Sequence, residues 1–248
     1  MRPAIDFNCD LGEGCGNDAA IIPLLSSANI ACGGHAGDGN TMRATLRLCR
    51  EHGVAAGAHP GYEDPTHFGR RELDLPPTAI AALVTRQLAR LARLADEEGI
   101  PLVHLKPHGA LYNQAARSRP IAEAIATAVA GFDRGLMLVG LSGSELPAAG
   151  EAAGLRVAHE VFAERGYGAD CRLLPRGAPG AVLGSLDAVT AQALGLARHG
   201  GVRTVGGGWL DLRADTLCLH GDRGDAPAIA AALRRALQED GITIRPLS

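Results

Sequence analysis

Hydrophobic and polar positions along the chain fall into two alternating textures. Short apolar runs occur at Ala4–Asn8, Ser27–Ala31, Val54–Ala58, Leu102–Leu105, Leu136–Leu141, Arg156–Val161 and Thr216–Leu219, and their length and composition predict strands. Between them lie stretches with an apolar residue every three or four positions. The clearest is Pro77–Glu98, where Ile80, Leu83, Val84, Leu91 and Leu94 share one helical face, with Pro76 and Pro77 at the start and Gly99 at the end. Further helices are predicted at Thr41–His52, Pro120–Ala130, Ser185–His199 and Pro227–Glu239, each followed within two residues by a glycine. Another helical pattern opens at Gly109.

Strand and helix alternate about seven times, a pattern that predicts parallel strands with helices packed outside them. No linker, repeat or low-complexity segment divides the chain, so residues 1–248 are expected to form a single α/β domain. An open doubly wound sheet gathers its ligand groups at one switch point, whereas a barrel collects them at the C-terminal ends of all its strands. Here nearly every predicted strand ends in reactive groups: Asn8 and Asp10, Asn29 and His35, His59, Lys106 and His108, Ser142, Glu160 and Glu164, and finally His220 and Asp222. This distribution predicts a closed (β/α) barrel.

Composition narrows the partners. Twenty-four basic residues against 27 acidic ones give a net charge of −3, with no basic block, which argues against nucleic acid. No apolar run reaches the roughly 18 residues that would span a bilayer, so the expectation is a soluble, cytoplasmic protein without a membrane contact. The six cysteines, at 9, 15, 32, 49, 171 and 218, form no C-x-x-C pair and are expected to be reduced thiols.

The candidate chemistry lies in four stretches. In "PLVHLKPHGALYN" (101–113), His104, Lys106 and His108 recur at every second position, so a strand would aim them to one side. "NIACGGHAGDGNT" (29–41) has the outline of a phosphate loop, but Asn40 stands where the phosphate-gripping lysine is required. The helix that follows could still offer its N-terminal amides to an anion. "GAHPGYEDPTHFGRR" (57–71) places His59 at a strand end and then Arg70 and Arg71, a pair that could clamp a carboxylate. His52 and His199 sit at helix ends, where a cation is simply favourable. His35, His59, His108 and His220 instead follow strands, where a group titrating near neutrality suits proton transfer. With Asp10, Glu13 and Asp222 they could alternatively hold a divalent metal such as zinc or manganese.

The motifs "NCDLGEGCG", "SANIACGGHAGD", "GAHPGYEDPTHFGRR", "VHLKPHGALYN", "EVFAERGY" and "TLCLHGD" together resemble the LamB/YcsF family, in order, from Ile5 to about Gly241. The chain departs from the family pattern at Gly34, Gly39 and Glu164. The resemblance implies a seven-stranded variant of the β/α barrel, related to sugar deacetylases. It also implies the role of the A component of a multi-subunit 5-oxoprolinase: opening of 5-oxo-L-proline (pyroglutamate) to L-glutamate, driven by ATP, with companion 5-oxoprolinase subunits B and C. The ATP site would be shared with a partner subunit or located on one. The expected catalytic set is Asp10, His35, His59, Lys106, His108 and Asp222; Asn8, Glu13, Arg70, Arg71, Tyr112 and Glu160 are expected to bind substrate or orient the basic groups. Two other readings stay open: a metal-dependent amidohydrolase or sugar deacetylase, and a non-catalytic subunit that binds a small anion. Assembly into a homo-oligomer is also left open.

Overall fold

The computed structural model describes residues 3–247. Strand β1 (Ala4–Leu11) is followed by helix α1 (Asp18–Ile21), β2 (Ser27–Ala31), α2 (Gly39–His52), β3 (Ala55–His59), α3 (Pro77–Glu98) and β4 (Leu102–Leu105). Next come α4 (Gly109–Ala115), α5 (Arg119–Phe132), β5 (Met137–Leu141), α6 (Glu145–Ala152), β6 (Val157–Phe162) and α7 (Leu186–His199). The chain finishes with β7 (Gly201–Arg203), β8 (Trp209–Asp211), β9 (Thr216–His220), α8 (Ala226–Glu239) and β10 (Thr243–Ile244). Six strands, β1 to β6, pair in parallel in chain order, and β9 pairs with both β6 and β1. The sheet is therefore a closed seven-stranded parallel barrel, ringed by helices, as the strand-end argument predicts. Closure leaves no free edge. Among the described residues, no helix is long and apolar enough to cross a membrane.

The sequence expectation omits α1, which is only four residues long, and also α6, the β7–β8 ribbon and β10. Helix α6 carries Pro147 in its first turn and Gly150 further on, which blurs its period. The β7–β8 ribbon is a short antiparallel pair outside the barrel and leaves Trp209 49% exposed, so it lacks the buried run that marks a strand. Strand β10 is only two residues long and pairs with the foot of β1.

Strand β1 explains the character of the barrel interior. Asp6, Asn8 and Asp10 bond side chains on β2, β6, β9 and the turn before β2, which puts them inside. Ile5, Phe7, Cys9 and Leu11 alternate with them and face the helical layer. Barrel interiors are ordinarily layers of branched apolar residues; this one is polar, in levels that satisfy one another. At the bottom Asp6 accepts from the hydroxyls of Ser26 (2.6 Å), Ser27 (2.5 Å) and Thr216 (2.5 Å). Above it, Asn8 donates to Thr216 (2.6 Å) and Glu160 (3.1 Å) and accepts from Asn29 (2.8 Å), whose amide oxygen meets His104 Nε2 at 2.8 Å. Gly57 makes room for that histidine: a Cβ there would lie 2.1 Å from His104 Nε2, and the β3–β4 register shifts at the same place.

Candidate active site

The uppermost level of the polar column is built on the ends of β1, β3 and β4. The β3–β4 ladder continues past the strand ends, with Lys106 N donating to Ala58 O (2.9 Å) and His108 N to Pro60 O (2.8 Å). These two bonds set Lys106 and His108 beside His59. Lys106 Nζ lies 2.9 Å from Asp10 Oδ1, 2.8 Å from Glu160 Oε1 and 3.1 Å from Cys218 Sγ. Its side chain is 2% exposed. Burial favours loss of the lysine proton, but the charges around it, Asp10 and Glu160 among them, outweigh that and raise its pKa well above the ordinary value. For Asp10 burial acts the other way, and His59 and Lys106 overcome it, so its pKa falls well below the usual carboxylate range. The site thus holds a desolvated cation locked between carboxylates.

Three histidines and a glutamate converge beside it. His59 Nε2 is 3.3 Å from Asp10 Oδ2 and 2.9 Å from His108 Nδ1. His59 Nδ1 meets the Lys106 carbonyl at 2.8 Å, and His108 Nε2 meets the Phe68 carbonyl at 2.9 Å. His35 stacks on His108, ring centroids 3.6 Å apart and planes within 3°, and its Nε2 lies 3.0 Å from Glu13 Oε1. Burial, and then the charge on neighbouring histidines, holds the His108 pKa well below the usual value; burial lowers that of His35 as well. At His59 burial is outweighed by Asp10, and the pKa is raised. The backbone comes unusually close to this stack: a Cβ on Gly69, whose φ is +61°, would sit 2.7 Å from His35 Cβ.

A cavity of about 390 Å³ opens over this floor. Asp10, His59, Lys106 and His108 form its base, with Tyr112, Phe162 and His220 beside them. Burial, reinforced by Glu160, pushes the Tyr112 phenol well above its normal pKa. His220 bonds Glu164 through Nδ1 and stacks on Phe162. The walls are cationic: Arg70, Arg117, Arg165, Arg172 and Arg176 all line the cavity. Arg70 pairs with Asp222 and lies over the Phe68 ring, and Arg117 pairs with Glu72 at 2.6 Å. Arg165 donates to the carbonyls of Leu174 (2.6 Å) and Ala181 (3.1 Å), and burial together with the charge of Arg176 lowers its pKa to about 10.

The structure thus gathers Asp10, His59, Lys106, His108, Arg70 and Tyr112 at one cavity, with Asp222 at the rim through Arg70. His35 and Glu13 stand behind the floor. Asn8 and Glu160 lie deeper in the barrel, where they hold the amide network and Lys106 and do not line the cavity. Arg71 is outside the lining as well, with Nε 3.4 Å from Asp64 Oδ2, so a clamp of two adjacent arginines does not form. Nor are the first amides of α2 open to an anion: Asp38 Oδ1 accepts from Asn40 N (2.9 Å) and Thr41 N (2.8 Å), a carboxylate cap that occupies the place of the ligand. Sequence reasoning missed Arg117, Arg165, Arg172 and Arg176. For the last three the available signal was the recurrence of arginine in "ERGYGADCRLLPRG", a long loop after a strand end.

Comparison with known proteins agrees with this architecture. The LamB/YcsF family model matches residues 5–248. The structure of the lactam utilization protein from Thermus thermophilus superposes with a TM-score of 0.92 at 43% identity, over 98% of this chain and 100% of that one. A putative cellobiose-phosphate cleavage protein from Enterococcus faecalis is similar at 11% identity and a TM-score of 0.59, over 99% and 98% of the two chains. A peptidoglycan deacetylase from Bacillus subtilis is similar at 11% identity and a TM-score of 0.52, over 99% and 88%. At such identities the last two share the fold.

Proposed function

Because the chain belongs to the LamB/YcsF family, we propose that it opens a lactam, 5-oxo-L-proline, to L-glutamate, as the A component of an ATP-dependent 5-oxoprolinase with companion subunits B and C. The observation that carries this reading is the buried, charged Lys106 at the floor of a cavity walled by arginines. A five-membered lactam is a stable amide, and its opening builds negative charge on the carbonyl oxygen. A desolvated ammonium aimed at that oxygen stabilises the charge far more than it would in water.

The arginine walls suit the substrate carboxylate and any phosphoryl group the lactam carries. ATP fits the chemistry as follows. Phosphorylation of the lactam oxygen makes the ring carbon electrophilic; water adds, the C–N bond breaks and the ring nitrogen leaves as the amine of an acyl phosphate. A second water releases phosphate, so one ATP and two waters balance against glutamate, ADP and phosphate. Asp10 Oδ2, on the cavity floor beside His59, is placed to accept a hydrogen bond from the attacking water. The loop at 34–41 lacks a phosphate-gripping lysine and its amides are capped, which favours phosphorylation with the participation of a partner subunit.

The test is glutamate release from 5-oxoproline by the chain alone and by the chain with its companion subunits, each with and without ATP. Release only in the complete, ATP-containing mixture is the expected result. Deacetylation of an N-acetyl sugar without ATP would replace this reading with a metal-dependent amidohydrolase. Unaltered activity of the mixture when Lys106 and Asp10 are both replaced would leave an anion-binding subunit.

A further inference from the structure

We propose that His59, His108 and Glu13 hold a single divalent transition-metal ion, Zn²⁺ by the chemistry of the donor set, at the floor of the cavity. The inference is independent of the lactam reading, because it rests on where lone pairs point.

A carbonyl oxygen can only accept, so His59 Nδ1 donates to Lys106 O and His108 Nε2 donates to Phe68 O. When both rings are neutral, the remaining nitrogens, His59 Nε2 and His108 Nδ1, both present lone pairs, and they face each other at 2.9 Å. Two lone pairs at that separation repel unless a cation lies between or beside them. A proton can serve. A metal ion draws on both lone pairs at once, and anchoring the far ring nitrogen to a backbone carbonyl is the usual way in which a protein orients a ligating imidazole.

Glu13 Oε1 supplies the third donor, 3.3 Å from His108 Nδ1 and 3.9 Å from His59 Nε2. Donors bonded to zinc at 2.0–2.1 Å in a tetrahedron are about 3.3 Å apart, close to the 2.9, 3.3 and 3.9 Å found here. The rings of His59 and His108 are perpendicular, so their in-plane lone pairs can approach one point from different directions. His35 belongs to the same cluster of potential ligands but plays another part. Its ring is parallel to that of His108 and 3.6 Å away, so one ion cannot lie in both ring planes. Its Nε2, 3.0 Å from Glu13 Oε1, instead holds the carboxylate in place.

Nitrogen and carboxylate donors together suit zinc and disfavour magnesium. Three protein ligands leave a coordination position free, and His59 and His108 both line the cavity. Asp10 Oδ2, 3.3 Å from His59 Nε2, stands next to that position.

The test uses the full chain, stripped with a chelator and titrated with Zn²⁺, Mn²⁺ and Mg²⁺ by calorimetry, with retained metal counted by mass spectrometry. One tightly held Zn²⁺ per chain is expected, with Mn²⁺ weaker and Mg²⁺ weakest. X-ray absorption of the zinc-loaded protein should show two imidazoles, and this requires no variant. His108→Ala and Glu13→Gln should each weaken zinc by at least about a hundredfold, and His35→Ala by about 10–100-fold, as for a residue that orients a ligand. Far-UV circular dichroism confirms that each variant is folded. No zinc retained by the wild-type chain, an absorption spectrum without imidazole, or equal affinity in His108→Ala would overturn the proposal. Binding is read without turnover, so a zinc protein inert towards 5-oxoproline and an active protein that binds no zinc are told apart.

Discussion

Lys106 Nζ lies 2.9 Å from Asp10 Oδ1, and both side chains are withdrawn from solvent across a chain separation of 96 residues. Removing the cation leaves Asp10 and Glu160 buried without their partner, a loss that typically destabilises by about 3–5 kcal/mol. Lys106→Met is therefore expected to lower the urea midpoint at neutral pH. It is also expected to cut the proposed lactam opening by roughly 10²–10³-fold, the scale for losing a donor to a developing oxyanion. Full turnover in a folded Lys106→Met protein would remove this residue from the chemistry.

His104 gives a pH-dependent prediction. Burial, with the charge of Lys106, lowers its pKa to about 3 in the folded chain, against about 6.5 in an unfolded one. As pH falls below 6.5 the unfolded chain takes up a proton that the folded chain refuses, so stability drops by up to about 1.4 kcal/mol per pH unit until pH 3. His104→Gln, which cannot titrate, is expected to lose this contribution. The stability difference between wild type and variant should shrink from pH 7 to pH 4 in urea unfolding; a constant difference would contradict the assignment.

Arg176 exerts its charge on both Arg165 and Asp222 from the cavity wall. Arg176→Ala should raise KM for an anionic substrate by about five- to tenfold and change kcat by less than about twofold, the signature of lost uniform binding. The effect should diminish in high salt, as screening predicts. An unchanged KM at low salt would count against electrostatic capture by this wall.

Gly57→Ala tests the packing of the polar column. The added Cβ would meet His104 Nε2 at 2.1 Å, far inside contact distance, so the histidine or the strand must move. A destabilisation of about 1–3 kcal/mol is expected for overpacking of this kind, measured as a fall in the melting temperature. An unshifted melt would show that His104 has room to turn away.

Much of the barrel was legible because its strands and helices have distinct periods and three of its long helices, α2, α3 and α7, stop at a left-handed glycine, although α5 runs through Gly131 to Phe132. Helix α3 occupies the predicted Pro77–Glu98 span. The rule that reactive groups cluster at strand ends brought Asp10, His59, Lys106 and His108 into view together. What escaped was set by tertiary geometry. Arg70 and Arg71 are neighbours in one motif, yet they follow a turn in which Phe68 and Gly69 both have positive φ, and only Arg70 reaches the cavity. The arginines of the 163–184 loop belong to no helix or barrel strand and are pinned by isolated bridges, Arg165 with Val182 and Tyr167 with Leu173, so no periodicity announces them. Which nitrogen of His59 or His108 is free depends on carbonyls contributed by distant residues.

The pairing of β9 with both β1 and β6 dictates an order of events during synthesis. Until residues 216–220 leave the ribosome, the first and sixth strands each expose an unsatisfied ladder, and the polar column has no lid of backbone around it. Long-range pairing of this kind slows folding and exposes sticky edges. The nascent chain must therefore hold its most hydrophilic interior open to water until β9, the seventh and final stave of the cylinder, arrives between the first and the sixth.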